Sequence, residues 1–265
     1  AGAAADCRRA VELDPRQAGI CDKQVTGDSV ELAPPPDAPA AEPEKPPSAI
    51  PEMTAAQGKA LTERALAAKD PRALEAVLGG DAFLDMGKYD QAIGAYDKAI
   101  ELDPENRFAH FGRGRAWAAK RDYGKAITDY DKAIRTSPDF GAALSHRGLA
   151  KATSGDADGA LADCGRAAEL DPKARDAFYC KGVAWHAKGD AGRAIAAYSV
   201  AIGIDTKDDA SYYARGMARA DRKDYAGAVV DFDEALELDP GNPNYAIARK
   251  AAANAGGEPA AKAKA

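Results

Sequence analysis

The 265-residue chain has few of the groups from which catalytic and metal sites are built. Its three histidines are His110, His146 and His186, and no two of them have the i, i+4 spacing of a helical metal site. It contains no C-x-x-C pair, no G-x-x-x-x-G-K-[ST] phosphate loop and no G-x-S-x-G nucleophile motif. These absences predict a protein that is not an enzyme, binds no metal and needs no cofactor.

The chain also lacks an excess of basic residues and a long apolar run. Its 42 acidic and 36 basic residues give a net charge of −6. Phosphate binding needs clustered lysine and arginine, so this balance argues against nucleic acid as a partner. No apolar stretch approaches the roughly 20 residues that are needed to cross a bilayer. The sequence therefore predicts no nucleic-acid partner and no membrane span.

Aromatic residues make up only 7% of the chain, although 46% of it is apolar, because alanine supplies much of the apolar content. Small side chains suit closely packed helices better than a bulky globular centre. A repeat accounts for this composition. Alanine recurs every 34 residues at Ala92, Ala126, Ala160, Ala194 and Ala228, and a similar series includes Pro104, Pro138, Pro172 and Pro240. A fixed period of this length is typical of a helical solenoid.

The repeat predicts an all-α fold of five units, each with two amphipathic helices. The units are 73–106, 107–140, 141–174, 175–208 and 209–242. Glycine ends the first helix in three units, where it tolerates a left-handed cap, and aspartate then caps the second helix in most units. Arg121 and Lys223 stand where glycine is found elsewhere, so we expect weaker capping there, by a few tenths to about 1 kcal/mol.

The segments outside the repeats are predicted to have different roles. Residues 1–32 form a short helical hairpin, and the eight prolines of residues 33–51 make a semi-stiff linker rather than a peptide ligand. Residues 52–70 form an N-terminal capping helix, and residues 243–255 form a C-terminal one. We expect the tail, residues 256–265, to be disordered.

The cysteines and the first residues of the sequence indicate the cellular compartment of the protein. A hairpin as short as 1–32 buries little surface, and a Cys7–Cys21 disulfide would stabilise it by about 3 kcal/mol, with buried or free thiols as the alternative. Cys164 and Cys180 lie on consecutive helices, and we interpret them as packed thiols rather than a disulfide. The chain begins AGAAAD, as after removal of a signal peptide, which predicts an exported, periplasmic bacterial protein. A trimmed cytoplasmic chain is the alternative.

The repeated positions resemble those of the tetratricopeptide repeat family. Unit 107–140 has the motif's small, aromatic and terminal residues in Gly114, Trp117, Ala126, Tyr130 and Pro138. The resemblance covers about two-thirds of the chain and implies a right-handed superhelix of antiparallel helix pairs, whose first helices line a concave groove. It also implies binding of peptides or partner proteins rather than catalysis.

The chain departs from the family's motif at the residue before the glycine, where the family has leucine. That residue is Arg113, Arg147, Lys181 and Arg215 in units two to five. Sixteen residues later stand Asp129, Asp163, Ala197 and Asp231, so that an acid follows each arginine. This pattern predicts an ion pair between the two helices of a unit, which would fix their register. A ladder of cations that binds anions is the alternative.

The family's geometry implies that the second, fifth, ninth, twelfth and thirteenth residues of each unit face the groove. We predict that these positions form the partner-binding surface. The candidate residues are Phe108, Phe111, Arg115, Leu149, Tyr179, Val183, His186, Tyr213 and Met217. An apolar, aromatic surface of this kind suits an extended peptide or a helix with hydrophobic anchors. As the alternative, the chain's own segment 1–32 covers it.

The sequence thus predicts a non-catalytic scaffold or adaptor that binds a peptide or a partner protein in the groove of its repeats. Two alternatives remain open. One is a structural protein that self-assembles through its terminal helices, and the other is a regulatory subunit of an enzyme complex. In solution we expect a monomer or weak self-association.

Overall fold

The computed structural model describes residues 69–256, which belong to the second of the two units, 1–52 and 53–265, into which the chain divides. Eleven α-helices and no β-strand are found in this range. The helices are α1 (Pro71–Asp85), α2 (Tyr89–Leu102), α3 (Arg107–Ala119), α4 (Tyr123–Thr136), α5 (Gly141–Thr153), α6 (Ala157–Leu170), α7 (Arg175–Ala187), α8 (Ala191–Ile204), α9 (Asp209–Asp221), α10 (Tyr225–Leu238) and α11 (Pro243–Asn254).

The helices form a solenoid of two layers. Each odd-numbered helix, called a first helix below, packs against the even-numbered second helix that follows it, and each second helix packs against the next first helix. Consecutive first helices also contact one another, and these contacts are most extensive between α5 and α7. Because each element contacts mainly its neighbours along the chain, the fold is the all-α repeat solenoid that the 34-residue period predicts.

Close approach within a helix pair depends on a glycine in each first helix. A Cβ atom on Gly114 would lie 2.6 Å from Cε1 of Tyr130, and one on Gly216 would lie 2.6 Å from Cε1 of Phe232. Real Cβ atoms do not approach other atoms so closely, so the aromatic ring of the second helix occupies the space that glycine leaves. The rings of Tyr130 and Phe232 are consequently buried in the core.

The turns inside the helix pairs confirm the predicted capping. Gly155 and Gly189 have positive φ angles of 97° and 78°, and Arg121 and Lys223 adopt the same left-handed region at 63° and 64°. A side chain costs free energy in this region that glycine does not. The side chains of Asp122, Asp156, Asp190 and Asp224 then accept a backbone N–H from the residue three positions later.

The predicted ion pairs within the units are present. Arg113 donates to Asp129 through Nε at 2.8 Å and Nη2 at 2.7 Å, and Arg147–Asp163 and Arg215–Asp231 repeat this arrangement. Burial alone would raise the pKa of the Asp129 carboxyl. Hydrogen bonds from Arg113 and His110 outweigh this effect and hold that pKa below its usual value.

Each arginine also reaches the unit before its own, which the sequence interpretation did not foresee. Arg113 Nη1 lies 2.5 Å from Asp97 Oδ1, and Arg147 Nη1 lies 2.6 Å from Asp131 Oδ1. In the last described helix, Arg249 Nε likewise donates to Asp233 Oδ1 at 2.7 Å. One cation therefore connects three consecutive helices, because it has an acceptor 16 residues before it as well as 16 residues after it.

The interpretation of Cys164 and Cys180 as thiols is wrong, because the structure joins them in a disulfide between α6 and α7. Their Cα atoms are 5.6 Å apart, within the range that a disulfide spans. Gly148 makes the approach possible, since a Cβ atom there would lie 2.6 Å from both sulfur atoms. The sequence places the two cysteines on consecutive helices, but it does not show how closely these helices approach, and buried cysteine is common as a free thiol.

Several predictions fall outside the described residues. These are the hairpin 1–32 with Cys7 and Cys21, the linker 33–51, most of the capping helix 52–70 and the tail after Gly256. At the other end, α11 begins at Pro243 and has Lys250 where the other first helices have glycine. None of the helices between residues 69 and 256 has the length and apolarity required to cross a membrane.

Candidate functional site

Aromatic side chains from units two and three form a continuous cluster, with residues of the first helices α3 and α5, Tyr130 of the second helix α4, and Phe140, which precedes α5. The cluster, called the Phe111 cluster below, consists of Phe108, Phe111, Tyr130, Phe140 and His146. The Phe111 ring centroid lies 5.0 Å from that of Phe140, 5.2 Å from that of His146 and 6.0 Å from that of Tyr130. Phe108 extends the cluster through an edge contact of 5.6 Å with Phe140. Two predicted site residues, Phe108 and Phe111, therefore belong to one surface.

Two arginines, Arg107 and Arg115, contribute positive charge to this surface. The guanidinium carbon of Arg107 lies 4.7 Å from the Phe108 ring centroid, and Arg115 lies beside Phe111. Its guanidinium carbon lies 5.8 Å from the Phe111 ring centroid, which is within the range of a cation–π contact. His146 is next to it, and burial lowers the pKa of His146 to about 4, with the positive charge of Arg115 acting in the same direction. At neutral pH His146 is therefore uncharged, and Arg107 and Arg115 supply the positive charge of the cluster.

A second cluster lies at the other end of the array, between unit five and α11. The Tyr213 ring centroid is 5.7 Å from that of Phe232 and 4.9 Å from that of Tyr245. These residues and Met217 belong to the Tyr213 cluster, which borders a cavity of about 360 Å³. Ile247 also lines this cavity and is 67% exposed, and Met217 is 37% exposed. The cavity is thus apolar and open to solvent.

Leu149, Tyr179 and Val183 lie on α5 and α7, between the two clusters along the chain, and all three are partly buried. Tyr179 packs against Tyr198 with the ring centroids 5.8 Å apart, and burial raises the pKa of its hydroxyl. Val183 contacts the apolar residues of both adjoining units. These three residues provide more contact area on the first helices but no charged group.

His186 differs from the other predicted site residues in its surroundings. Its Nε2 lies 2.5 Å from Asp221 Oδ2, and both residues border a polar depression at the turns of units four and five together with Lys188 and Arg222. The structure therefore places His186 in a polar environment at the helix ends, whereas Met217 and Tyr213 line the apolar cavity. Its side chain has a partner within the chain.

Sequence reasoning missed Phe140, His146 and the role of Tyr130 in this surface. Phe140 occupies the position before a first helix where units one and five have Asn106 and Asn242, which cap the next helix. Phe140 makes no side-chain cap. A phenylalanine at a position where other units have a capping asparagine indicates that the residue does not serve as a cap. Alignment of the units at intervals of 34 residues would have shown this difference.

The described part of the chain has no cluster of three or more histidine, cysteine, aspartate or glutamate residues that could hold a metal ion. The side chains of the Phe111 and Tyr213 clusters are aromatic and aliphatic, and the Phe111 cluster adds a neutral imidazole, His146, and the guanidinium groups of Arg107 and Arg115. Groups of this kind bind through apolar contact, hydrogen bonding and charge. They suit recognition of another molecule's surface.

Comparison with protein families and solved structures agrees with the repeat pattern. Two family models, both described as tetratricopeptide repeat, match the chain, one at residues 77–139 and 146–209 and the other at 210–242. Together they cover more than half of the 265 residues. No curated protein sequence matches the chain.

Three similar solved structures illustrate the fold. TTC0263, a thermophilic TPR protein of Thermus thermophilus, is 16% identical with a TM-score of 0.62 and covers 69% of this chain and 99% of its own. A chain of the APC/C hetero-tetramer Cut9–Hcn1 is 20% identical with a TM-score of 0.64, over 72% of this chain and 39% of that one. MamA from residue 41 to its end, from Desulfovibrio magneticus RS-1, is 19% identical with a TM-score of 0.53, over 66% and 98%.

At these identities the structural likeness shows the fold alone, whereas the family models match the residues of the repeats themselves. The buried glycine and alanine positions, the aromatic ring between the helices and the 34-residue period all occur in the matched range. The chain therefore belongs to the tetratricopeptide repeat family.

Proposed function

We propose that this protein is a non-catalytic interaction scaffold that binds a peptide segment of a partner protein along its first helices. The observation that carries the proposal is the apolar cavity of the Tyr213 cluster. Met217 and Ile247 are exposed there beside Tyr213, whose ring is held in place by Phe232 and Tyr245. Rigid aromatic rings beside an open apolar cavity are typical of surfaces that receive a hydrophobic anchor.

The Phe111 cluster supports the same function at the other end of the array. Its rings are fixed by mutual contact, so that little conformational entropy is lost when a ligand covers them. Leu149, Tyr179 and Val183 provide apolar contacts on the first helices between the clusters. A peptide that contacts both clusters would bury apolar side chains at each end.

A charge introduced into the cavity tests this function. We expect Met217→Lys to weaken partner binding at least tenfold, because it puts a charge into the apolar cavity. Val230→Lys is the matched control, since Val230 is also 37% exposed but lies on the second helix α10, away from the cavity. Co-purification with the wild-type chain identifies the partner, and titration calorimetry then measures both variants. Equal binding by Met217→Lys and the wild type would refute the proposal.

Self-assembly through the terminal helix is the alternative that the same surface raises, because Ile247 is highly exposed on α11. Lys250 argues against continued stacking, since it occupies the position at which the other first helices have the glycine that admits an aromatic ring or, in unit three, the sulfur atoms of the disulfide. Light scattering over a range of concentrations separates the two functions. A concentration-dependent dimer that Ile247→Asp abolishes would favour self-assembly.

We propose further that the protein is exported to an oxidising compartment such as the bacterial periplasm. The Cys164–Cys180 disulfide supports this, because stable disulfides are rare in the reducing cytoplasm. Counting reactive thiols in denatured protein isolated from its native host tests the location. Reactive thiols at both Cys164 and Cys180 would contradict it.

A further inference from the structure

The outer side of the second helix α8 is apolar. Gly192, Ala196, Val200 and Ile204 lie four residues apart on this side, and all four are exposed. We call these four residues the Val200 stripe. The exposed fraction is 44% for Val200 and 37% for Ile204. The opposite side of α8 is already buried in the core of the array, and a helix that is apolar all round is usually buried all round. The exposed stripe therefore needs an explanation.

The other units show which residues normally occupy the outer side. Each of the other four second helices among residues 69–256 has four or five charged residues, whereas α8 has one, Arg193. The residue that corresponds to Val200 is charged in every other unit, where it is Lys98, Lys132, Arg166 or Glu234. A charged side chain at this position keeps the outer surface of the array in contact with water. The apolar stripe is thus a feature of unit four and not of the repeat.

The order of residue sizes makes the Val200 stripe complementary to itself. Its first two residues, Gly192 and Ala196, are small, and its last two, Val200 and Ile204, are branched. When two copies of α8 cross in opposite directions with Ala196 beside Val200, the equal spacing also brings Gly192 beside Ile204. Each branched side chain then meets a small one, whereas a parallel pair would bring Val200 against Val200. Rows of residues four apart are the ridges that interdigitate in the commonest class of helix packing.

The charges at the ends of α8 favour the same antiparallel arrangement. Arg193 follows Gly192 and has a side chain that is 64% exposed, and Asp205 follows Ile204 and is also exposed. Pairing of Gly192 with Ile204 brings Arg193 of one copy close to Asp205 of the other, and the symmetry repeats this contact at the other end. A parallel pair would bring the two Arg193 side chains together, which costs free energy.

We propose that the Val200 stripe binds the same stripe of a second copy of this chain, so that the protein forms a twofold dimer through antiparallel α8 helices. A twofold axis makes each contact occur twice, once from each copy. The contact removes Val200 and Ile204 from water. Because each copy contributes mainly one helix, the interface is small, and the dimer dissociates readily.

The dimer leaves the proposed binding surface uncovered. Tyr213, Met217 and Ile247 lie on first helices, whereas α8 belongs to the layer of second helices. Two joined copies therefore present two partner-binding surfaces, and a partner with two binding segments is held more tightly than a partner with one. The inference goes beyond the proposed function, because the contact between the copies needs no ligand.

Sedimentation equilibrium of the full chain from ~10 µM to ~1 mM tests the inference. Replacement of Cys7 and Cys21 by serine provides the background, so that these thiols cannot link two copies. We expect a monomer–dimer equilibrium. Val200→Lys should weaken the dimer at least tenfold, because it puts two charges into the centre of the contact. Leu78→Lys, which adds the same charge to an exposed apolar residue of the first helix α1, is the matched control and should leave the dimer unchanged.

Lysine is compatible with the fold at position 200, since Lys98 and Lys132 occupy the corresponding positions in units one and two. We therefore expect Val200→Lys to retain the helical circular dichroism and the unfolding midpoint of the monomer. A lost dimer then reports on the contact between copies and not on folding.

Exchange of the two central residues of the stripe tests the antiparallel direction. Ala196→Val alone brings two valines together and should weaken the dimer severalfold, although valine is compatible with this position, as Val230 shows in unit five. Val200→Ala alone removes apolar contact and should weaken the dimer as well. The double variant again places a branched side chain against a small one, so we expect its dissociation constant to lie within about threefold of the wild-type value.

The outcomes are distinct. A chain that is monomeric up to ~1 mM, or a dimer that Val200→Lys leaves intact, would overturn the inference. A dimer that Ile247→Asp abolishes and Val200→Lys does not would show that the copies associate through α11. A dimer that Ala196→Val strengthens would overturn the antiparallel arrangement. Val200→Lys should bind a single partner segment as the wild type does, whereas Met217→Lys should not, so that failure of the dimer and failure of the proposed function are told apart.

Discussion

The joint between units two and three and the joint between units three and four are built from different interactions. At the former, the Tyr130 ring of unit two packs against the His146 ring of unit three with the centroids 6.0 Å apart, and Arg147 connects Asp131 of unit two to Asp163 of unit three. At the latter, Lys181 stands at the repeat position of Arg113 and Arg147, and the residues 16 positions before and after it are glycine and alanine. Lys181 makes no ion pair there within the described range, and the Cys164–Cys180 disulfide joins the two units instead.

The difference shows that a repeat array can fix the register of its units in two ways. Ion pairs do so through matched charges on three helices, and the disulfide does so with one covalent bond. In the other units, an aromatic ring separates the helices where unit three has Cys164. Two sulfur atoms need less space than a ring, which explains why α5 and α7 are in more extensive contact than the other consecutive first helices.

Removal of the disulfide should have the largest effect on this comparison. We expect Cys164→Ala with Cys180→Ala to lower the free energy of unfolding by about 3 kcal/mol, because the bond closes a loop of about 15 residues in the unfolded chain. Urea unfolding measures the change in a background in which Cys7 and Cys21 are serine, so that only one disulfide can be reduced. Reductant should destabilise that background to the same extent and leave the double variant unchanged. Stability of the background that does not respond to reductant would contradict a structural role for the bond.

Substitution at the repeat position of Arg147 should lower the free energy of unfolding where the residue makes ion pairs and should have little effect where it makes none. Arg147→Met leaves the buried Asp163 with Lys151 as its remaining partner, at 2.8 Å, so we expect a loss of about 2 kcal/mol, below the roughly 3–5 kcal/mol for an isolated buried pair. Lys181→Met is the matched control at the same repeat position, and we expect less than about 0.5 kcal/mol because Lys181 has no carboxylate to lose. Thermal or urea unfolding compares them. Similar losses from both variants would show that the ion pairs do not stabilise the joint.

These two joints also show what the sequence could and could not predict. The fold, the glycine caps and the ion pairs within a unit follow from residues that recur at fixed intervals, such as Gly114 and the Arg147–Asp163 pair. The acceptor 16 residues before each arginine was not predicted, because only the residue 16 positions after each arginine was considered as its partner. The disulfide was missed because it depends on how closely α6 and α7 approach, which Gly148 determines through contacts in three dimensions.

The residues of the candidate site also divide into those that the repeat positions predict and those that depend on contacts in the folded protein. Phe108, Phe111, Tyr213 and Met217 were predicted from the family's groove positions, and the structure places them in two aromatic clusters. The partner of His186 was not predictable from its repeat position, because Asp221 belongs to the next unit and reaches it across the turn. That the Tyr130 hydroxyl has no hydrogen-bond partner among residues 69–256 depends on the contacts of one side chain in the folded protein, and the repeat motif carries no information about that.

The smallest expected effect comes from introducing one ion pair of the Asp131–Arg147 type at the joint between units three and four, which lacks it. Gly165→Asp with Lys181→Arg recreates the sequence relation of Asp131 and Arg147, whose charged groups are 2.6 Å apart. We expect a coupling energy of about 0.5 kcal/mol between the two substitutions, since Asp131 and its equivalents are partly exposed and such pairs contribute little. A double-mutant cycle isolates this energy from the gain in helix propensity that any replacement of glycine at 165 brings.

The cycle should be measured with the disulfide intact and after its removal, because a closed disulfide already holds α6 against α7. If the ion pair and the disulfide have the same structural role, the coupling energy is found both with and without the disulfide. In the protein without the disulfide it then restores a small part of the free energy of unfolding that the bond contributes. A coupling energy of zero in both proteins would mean that the backbone between units three and four does not allow the geometry of the Asp131–Arg147 ion pair. The disulfide would then join two helices that are arranged differently from those between units two and three.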